Sequence, residues 1–212
     1  MKQIFDDLWQ TKLEIPFGSV HTHAYFLQRE EGNALIYNTG HAGEIEHIAE
    51  LGGVDYWYLS HRHETGDSLK IIRERFGSKL CCHVDEESAV QQACEVDITF
   101  PSEVTRHRGL EIFHTPGHTI GSISFLYRSP YGSTYLFTGD TLFQSNGVWE
   151  TLVIASDGGS TEALLESLKI YRALSPDVVL WSASGGGEAS YAEPTGAEWK
   201  GIVESVIGRL RS

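Results

Sequence analysis

The sequence predicts a layered α/β protein, and three observations support this fold class. Short apolar segments alternate with turn residues and helical patterns along the 212 residues. Two of these segments, residues 54–59 and 178–181, are apolar at nearly every position, which is typical of strands covered on both faces. The C-terminal segment carries one apolar stripe that predicts a helix docked on a sheet. Because no low-complexity linker divides the chain, we expect a single domain over residues 1–212.

Eight segments have the apolar and aromatic composition of strands, and turn residues bound them. They are residues 24–27, 34–37, 54–59, 79–83, 110–114, 122–127, 134–137 and 178–181. Three further segments have helical spacing. The first covers residues 69–76 and should end at Gly77, and the second covers residues 163–174. The third begins at a capping box formed by Thr195 and Glu198.

The composition points to a cytoplasmic protein with neither nucleic acid nor membrane as a partner. Sixteen Lys and Arg stand against 29 Asp and Glu, a net charge of −13 that repels phosphate backbones. No run of about 18 apolar residues could span a membrane, and the first residues lack the apolar run of a signal peptide. The three cysteines, Cys81, Cys82 and Cys94, form no disulfide framework and suit a reducing compartment.

The candidate metal-binding residues lie where predicted strands end. His61-Arg62-His63 follows the apolar strand 54–59 and Ser60. Alternate residues of an extended segment point the same way, so both imidazoles can face one ion. A tight Pro-Gly loop presents His118 after another strand, and a glycine turn places Asp140 after a third. Imidazole and carboxylate ligands suit zinc or ferrous iron, so His61, His63, His118 and Asp140 together predict a metal site.

In order and spacing, these segments resemble the metallo-β-lactamase superfamily, especially its glyoxalase II-like hydrolases. The family motif H-x-H-x-D-H would begin at His61, T-P-G-H-T matches residues 115–119, and T-G-D-T-L-F matches residues 138–143. The family segment L-I-D-T-G appears as Leu35-Ile36-Tyr37-Asn38-Thr39-Gly40, with Asn38 where the Asp usually stands. The resemblance spans residues 25–181 and implies a four-layer αββα sandwich with a metal site at one edge. It also implies that His61, His63 and His118 bind the first metal and that Asp140 bridges in two-metal members.

Three further positions depart from the family, and all three correspond to ligands of its second metal. Thr65 and Gly66 stand where the family has Asp and His, and Ser184 stands where it has a late His. None of the three supplies a strong anionic or imidazole donor for a dication. The sequence therefore fits a single-metal site, or an eroded site that holds no ion durably.

Neighbouring residues offer weaker candidates. Glu64 should point away from the metal if the segment is extended, and Asp67 should cap the next helix, with a lesser prospect as a catalytic base or ligand. A second H-x-H, His21 and His23, could face the substrate, although a surface or hydrogen-bonded role is the plainer interpretation. The glycines of residues 185–187, before Glu188, predict a flexible rim or lid.

We expect a metal-dependent hydrolase that acts on a small ester, thioester or lactone through one metal-bound water. The resemblance makes zinc the first choice of divalent metal and iron the second. It also implies a small-molecule substrate, and a homodimer is common among the proteins that the chain resembles. Two alternatives stay open. One is a non-catalytic binding or regulatory protein on the same fold, and the other is a mononuclear-iron enzyme that oxidises thiols or persulfides.

Overall fold

Two β-sheets pack face to face in the computed structural model, which describes residues 1–186 and 190–211. The first sheet has seven strands, antiparallel on one side and parallel on the other. In spatial order they are β1 (Lys2–Phe5), β2 (Leu8–Gln10), β5 (Tyr25–Leu27), β6 (Ala34–Ile36), β7 (Tyr56–Tyr58), β8 (Lys79–His83) and β9 (Ile98–Phe100).

The second sheet has six strands, and only β13 and β16 pair in parallel within it. In spatial order they are β10 (Thr105–His107), β11 (Leu110–His114), β12 (Ile123–Arg128), β13 (Thr134–Phe137), β16 (Val178–Leu180) and β18 (Tyr191–Ala192). Two small sheets accompany them: β14 (Phe143–Ser145) with β15 (Val148–Glu150), and β17 (Ala183–Ser184) with β4 (Val20–Thr22) and β3 (Glu14–Phe17).

Helices complete the outer layers. They are α1 (Ala42–Glu50), α2 (Ser68–Phe76), α3 (Glu87–Val90), α4 (Thr161–Ala173) and α5 (Gly196–Arg211). Short 3₁₀ turns cover Arg62–Glu64, Val84–Glu86 and Ala155–Asp157. Buried residues of α1, α2 and α3 join the cluster of the first sheet, whereas α4 and α5 pack on the second sheet.

Alternation along the strands of the second sheet builds both of its interfaces. Phe125 of β12 faces the first sheet, where its ring lies 5.6 Å from that of Tyr58. The next residue, Leu126, joins Leu136 and Trp199 in the cluster beneath α4 and α5. Side chains of opposite parity thus bury opposite faces of one sheet. The predicted αββα four-layer sandwich is confirmed.

All eight predicted strands form, with ends that differ by no more than two residues. The predicted stop at Gly77 is confirmed, since this glycine adopts a left-handed conformation with φ 66°. The capping box is also confirmed, because Thr195 N–H donates to Glu198 Oε2 at 2.8 Å and Glu198 N–H donates to Thr195 Oγ1 at 3.3 Å. Several short strands and α1 carry too few patterned residues to be predicted, and tertiary pairing determines them. Among the described residues, no helix is long and apolar enough to cross a bilayer.

Candidate metal centre

His61 and His63 converge through a turn rather than along an extended strand. His61 itself is extended, with φ −163° and ψ 172°, but Arg62–Glu64 form a 3₁₀ turn. The expectation that residues 61–64 alternate as a strand was therefore wrong, although the two imidazoles do meet, with ring centroids 5.1 Å apart. The same turn brings Glu64 back beneath His61 instead of directing it away.

His118 is presented by the predicted Pro-Gly loop between β11 and β12. Gly117 adopts φ 142°, and a β-carbon there would lie 2.6 Å from the Cα of Leu164, so the loop requires glycine. Its N–H donates to Thr119 O at 3.1 Å, which closes the turn around His118. The loop thus sets a buried imidazole against the H-x-H turn, and the rings of His61 and His118 lie 4.5 Å apart.

Asp140 follows β13 through the glycine turn at Gly139, whose φ is 56°. Its Oδ2 lies 3.5 Å from His61 Nε2 and 3.7 Å from His118 Nε2. Its Oδ1 is buried and has no hydrogen-bond partner among the described residues. The structure therefore brings the four predicted ligands together, since ligand atoms of His61, His63 and His118 also lie within 4.8 Å of one another.

The outer nitrogen of each imidazole is held by an acceptor. His118 Nδ1–H donates to Leu152 O at 3.0 Å, and His63 Nε2–H donates to Asp157 Oδ2 at 2.8 Å. His61 Nδ1 lies 2.9 Å from Ser60 Oγ, and that hydroxyl in turn donates to Glu64. These partners place the ring protons on the outer nitrogens, so the lone pairs of the inner nitrogens face one another.

Glu86 ties the two histidine-bearing loops together. Its buried carboxylate accepts hydrogen bonds from Arg62 N–H at 3.0 Å and from Arg62 Nε at 2.5 Å. The other oxygen accepts from Thr119 Oγ1 at 2.8 Å and from Gly121 N–H at 2.9 Å. The guanidinium of Arg62 is thus bound by Glu86, and its Nη1 also lies 3.9 Å from Oδ1 of Asp157, the residue that holds His63. No motif in the sequence predicts these contacts.

The electrostatics of the cluster favour a positive charge among the imidazoles. Burial lowers the pKa of His61, but the carboxylates of Asp140 and Glu64 outweigh that effect and raise it to about 9. Burial and the charge of His61 lower the pKa of His118. One proton is therefore held among facing lone pairs and carboxylates, and a cation binding there would displace it.

The residues present fit a divalent ion. His63 Nδ1 lies 3.2 Å from His118 Nε2, and the Asp140 oxygen lies 3.5–3.7 Å from two imidazole nitrogens. Ligands about 2.0–2.2 Å from a tetrahedral zinc lie about 3.3–3.6 Å from one another. The spacing, the inward lone pairs and the orphaned Asp140 Oδ1 are those of a three-histidine, one-carboxylate donor set.

Replacing Asp157 with Ala should lower zinc affinity by about 10–100-fold, because His63 would lose the acceptor that orients its ring. A competition titration with a chelating dye measures this change. The matched control is Asp177→Ala, which removes a carboxylate bound to Thr134 N–H outside the cluster. Equal zinc affinity in the Asp157 variant and wild type would contradict a positioning role.

The three departures from the resembled family lie around the cluster without adding a ligand. Thr65 and Gly66 line a cavity of about 400 Å³ that also contacts His61, His63 and Asp140. Ser184 lines a second cavity of about 440 Å³ on the other side of Asp140. Thr65 Oγ1 donates to Arg62 O at 2.9 Å. Among the described residues, no second group of His, Cys, Asp and Glu that could bind a metal lies beside this cluster.

The weaker candidates are partly corrected. Glu64 is buried and accepts from Ser60 N–H at 2.7 Å, so it supports His61 from outside. Asp67 precedes α2 but makes no capping hydrogen bond, because its backbone is already helical at φ −61° and ψ −27°. Its exposed carboxylate instead lines the 400 Å³ cavity. His23 does not line that cavity. Its Nδ1 is hydrogen-bonded to Thr11 O at 2.9 Å instead.

The rim predicted at residues 185–188 is only partly described. Gly185 lines the second cavity. Gly187 and Glu188 lie outside the described residues.

A second histidine cluster contains His83, Asp85 and His114. The two imidazoles stack with centroids 4.1 Å apart and planes at 7°. Imidazole lone pairs lie in the ring plane, so no single ion could lie in both planes. His114 Nε2–H also donates to Ile120 O at 2.9 Å. The stacked geometry indicates a structural role.

Replacing His83 with Asn should make the free energy of unfolding depend less on pH between about 6.5 and about 4. Burial and the neighbouring His114 lower the pKa of His83 to about 4, below the 6.5 of an unfolded histidine. The unfolded chain therefore binds the extra proton first, and stability is lost as the pH falls from about 6.5 to about 4, by about 1–3 kcal/mol. Asn keeps the acceptor for Asp85 N–H but cannot titrate.

Urea unfolding at pH 7 and pH 5, with metal removed, measures that difference. The exposed His41→Asn variant is the control and should keep the wild-type pH dependence. If His83→Asn also keeps it, the buried imidazole is not a source of acid lability.

Comparisons with known proteins agree with this geometry. A family model described as the metallo-beta-lactamase superfamily matches residues 95–183, which include His118 and Asp140. A hydroxyacylglutathione hydrolase of Pelagibacter ubique (strain HTCC1062) is 30% identical over 116 residues, 52% of this chain and 46% of that protein. This chain therefore aligns with less than half the length of that relative.

Two further matches cover a larger share of the matched protein. A probable metallo-hydrolase of Bacillus subtilis (strain 168) is 27% identical over 176 residues, which are 73% of this chain and 80% of that protein. The solved structure of a metallo-beta-lactamase from Pontibacter korlensis superposes with a TM-score of 0.70 and 15% identity over 96% of this chain and 97% of that one. At this identity, the superposition establishes a shared fold.

Proposed function

We propose that the chain is a metallo-β-lactamase superfamily member and a metal-dependent hydrolase of a small ester, thioester or lactone, working with one divalent ion. One observation carries the proposal: three imidazoles and a carboxylate converge, and every imidazole has its outer nitrogen held by an acceptor. Zinc is the proposed ion, since it prefers N and O ligands in this arrangement.

The chemistry of such an ion is Lewis-acid chemistry, which lowers the pKa of a coordinated water to about 7 and polarises a carbonyl. The chain's own residues supply the rest. His61, His63 and His118 are held in orientation because Ser60, Asp157 and Leu152 O bind their outer nitrogens. These supports reduce the reorganisation that binding would otherwise require.

Asp140 is the proposed carboxylate that would hold the ion with the three histidines. Its Oδ2 lies 3.5 Å from His61 Nε2 and 3.7 Å from His118 Nε2. Asp67 is a candidate for proton transfer. Its exposed carboxylate lines the 400 Å³ cavity beside Asp140, and it has no hydrogen-bond or ion-pair partner among the described residues.

We also propose a small-molecule substrate and a cytoplasmic location. Cavities of about 400 and 440 Å³ adjoin the cluster, and such volumes are typical of small-ligand sites. Cys81, Cys82 and Cys94 are buried free thiols. Burial raises the pKa of Cys82 to about 12, so this thiol stays protonated and unreactive, as suits a reducing compartment.

Metal analysis combined with an activity assay tests the proposal. We expect about one zinc per chain, hydrolysis of at least one ester, thioester or lactone, loss of activity with a chelator and recovery with zinc. A chain that binds neither zinc nor iron would favour the non-catalytic alternative. Bound iron with oxygen uptake on a thiol substrate would favour the oxidising alternative.

A further inference from the structure

The two cavities beside the cluster differ in chemistry. They share Val20, His63, Asp140 and Ala183, so they lie on either side of one centre. The 440 Å³ cavity is lined mainly by apolar side chains, which are Val20, Phe143, Leu152, Ile154 and Ala183. We call it the apolar cavity. Its position against His63 and His118 is where a group attached to a reacting carbonyl would lie.

Away from the histidine cluster, the described lining of the two cavities contains no Lys or Arg. Residues 187–189 are Gly, Glu and Ala. Arg62, next to His61, lines neither cavity and binds Glu86, Asp85 O and, at 3.9 Å, Asp157 Oδ1. A carboxylate at the far end of a substrate, away from the cluster, would therefore find no Lys or Arg partner among the described residues of these cavities.

The carboxylates that line the two cavities carry more negative charge than one divalent ion could neutralise. The two cavities are lined by five of them, which are Glu14, Glu64, Asp67, Asp140 and Glu150. Of these, Glu150 and Asp140 line the apolar cavity. Like charges placed together disfavour binding, and an apolar lining cannot solvate an anion.

We propose that this site selects substrates with an uncharged, apolar acyl group and discriminates against acyl groups that carry a carboxylate. The proposal rests on the proposed hydrolase function and adds its substrate class. The acyl chain would occupy the apolar cavity, where burial of its methylene groups favours binding. A carboxylate at its far end would lose water without gaining a partner, beside the charges of Glu150 and Asp140.

Matched esters test the selection. For the zinc-bound protein, p-nitrophenyl hexanoate should have a kcat/KM at least about tenfold higher than the p-nitrophenyl monoester of adipic acid, which replaces the terminal methyl with a carboxylate. Hexanamide and adipic acid monoamide provide the same comparison by calorimetric binding to metal-free protein, without catalysis. Hexanamide should bind at least about tenfold more tightly.

A cation placed in the cavity should reverse the preference. Val20→Lys puts an ammonium between the two cavities and should favour the carboxylate-bearing ester and amide. Val148→Lys is the matched control, because Val148 is exposed on β15 and lines neither cavity. If Val20→Lys does not fold, Glu150→Gln provides the second test and should reduce the discrimination severalfold.

The two proposals fail differently. If no ester is hydrolysed but the amides keep their neutral preference, the hydrolase function is wrong and the selectivity of the cavity stands. If the wild-type protein binds both amides equally, or prefers the carboxylate, the selectivity is wrong whatever the activity. Loss of the preference in Val148→Lys would also overturn the assignment to the apolar cavity.

Discussion

Replacing His118 with Ala should lower zinc affinity by at least about 100-fold. Four-ligand zinc sites bind with about 10–16 kcal/mol, so one ligand accounts for about 3 kcal/mol. His118 is buried and central: its Nε2 lies 3.2 Å from His63 Nδ1 and 3.7 Å from Asp140 Oδ2. No described neighbour could replace its nitrogen. Hydrolysis should fall with occupancy.

Zinc titration by calorimetry measures that change, and His107→Ala is the matched control. Both substitutions delete one hydrogen bond of a histidine, to Leu152 O in one case and to Tyr58 OH in the other. Each should cost about 1–3 kcal/mol of stability. Only the His118 variant should lose zinc. A variant that folds, binds zinc as wild type and keeps its cellular role would identify the cluster as a relic.

Restoring the three missing ligands should raise the metal content from about one to about two ions per chain. The triple variant Thr65→Asp, Gly66→His and Ser184→His supplies the donors that the superfamily resemblance assigns to a second ion. There is room for this change at residue 66, where an added β-carbon would lie 3.5 Å from Asn38 Nδ2 and 3.9 Å from Ser68 Oγ. Asp140, which lines both cavities, would be the shared ligand of the two ions.

Elemental analysis after zinc saturation measures the stoichiometry. The control replaces the same positions without donors, as Thr65→Ser, Gly66→Ala and Ser184→Ala, and should stay at about one ion. Two ions bound by the wild-type protein would contradict the single-metal proposal. One ion bound by the restored variant would show that these positions do not converge.

The strands and the four converging residues could be predicted because their signals are local. Apolar runs such as residues 178–181 bury both faces, and turn chemistry at Gly117 and Gly139 places a ligand after each strand. The capping box at Thr195 is equally local. These features depend on neighbours within a few positions, which a single sequence contains.

The predictions that failed assumed one backbone conformation for a short segment. Residues 61–64 have no pattern that separates an extended chain from a 3₁₀ turn, and burial of the Glu64 carboxylate against Ser60 accompanies the turn. Asp67 has the composition of an N-cap, yet its helical backbone leaves the carboxylate facing a cavity. In both cases, tertiary contacts override a local preference.

By itself, the sequence determined the layered fold and the histidines and aspartate that meet at one edge of it. The tertiary structure alone decided what supports them: Asp157 reaches His63 across 94 residues, and Glu86 joins loops that lie 24 and 33 residues away. It also decided that no Lys or Arg of the described residues lines the cavities beside them. The physical reason is that spacing along the chain specifies local conformation, whereas second contacts and cavity charge arise only when distant segments pack together.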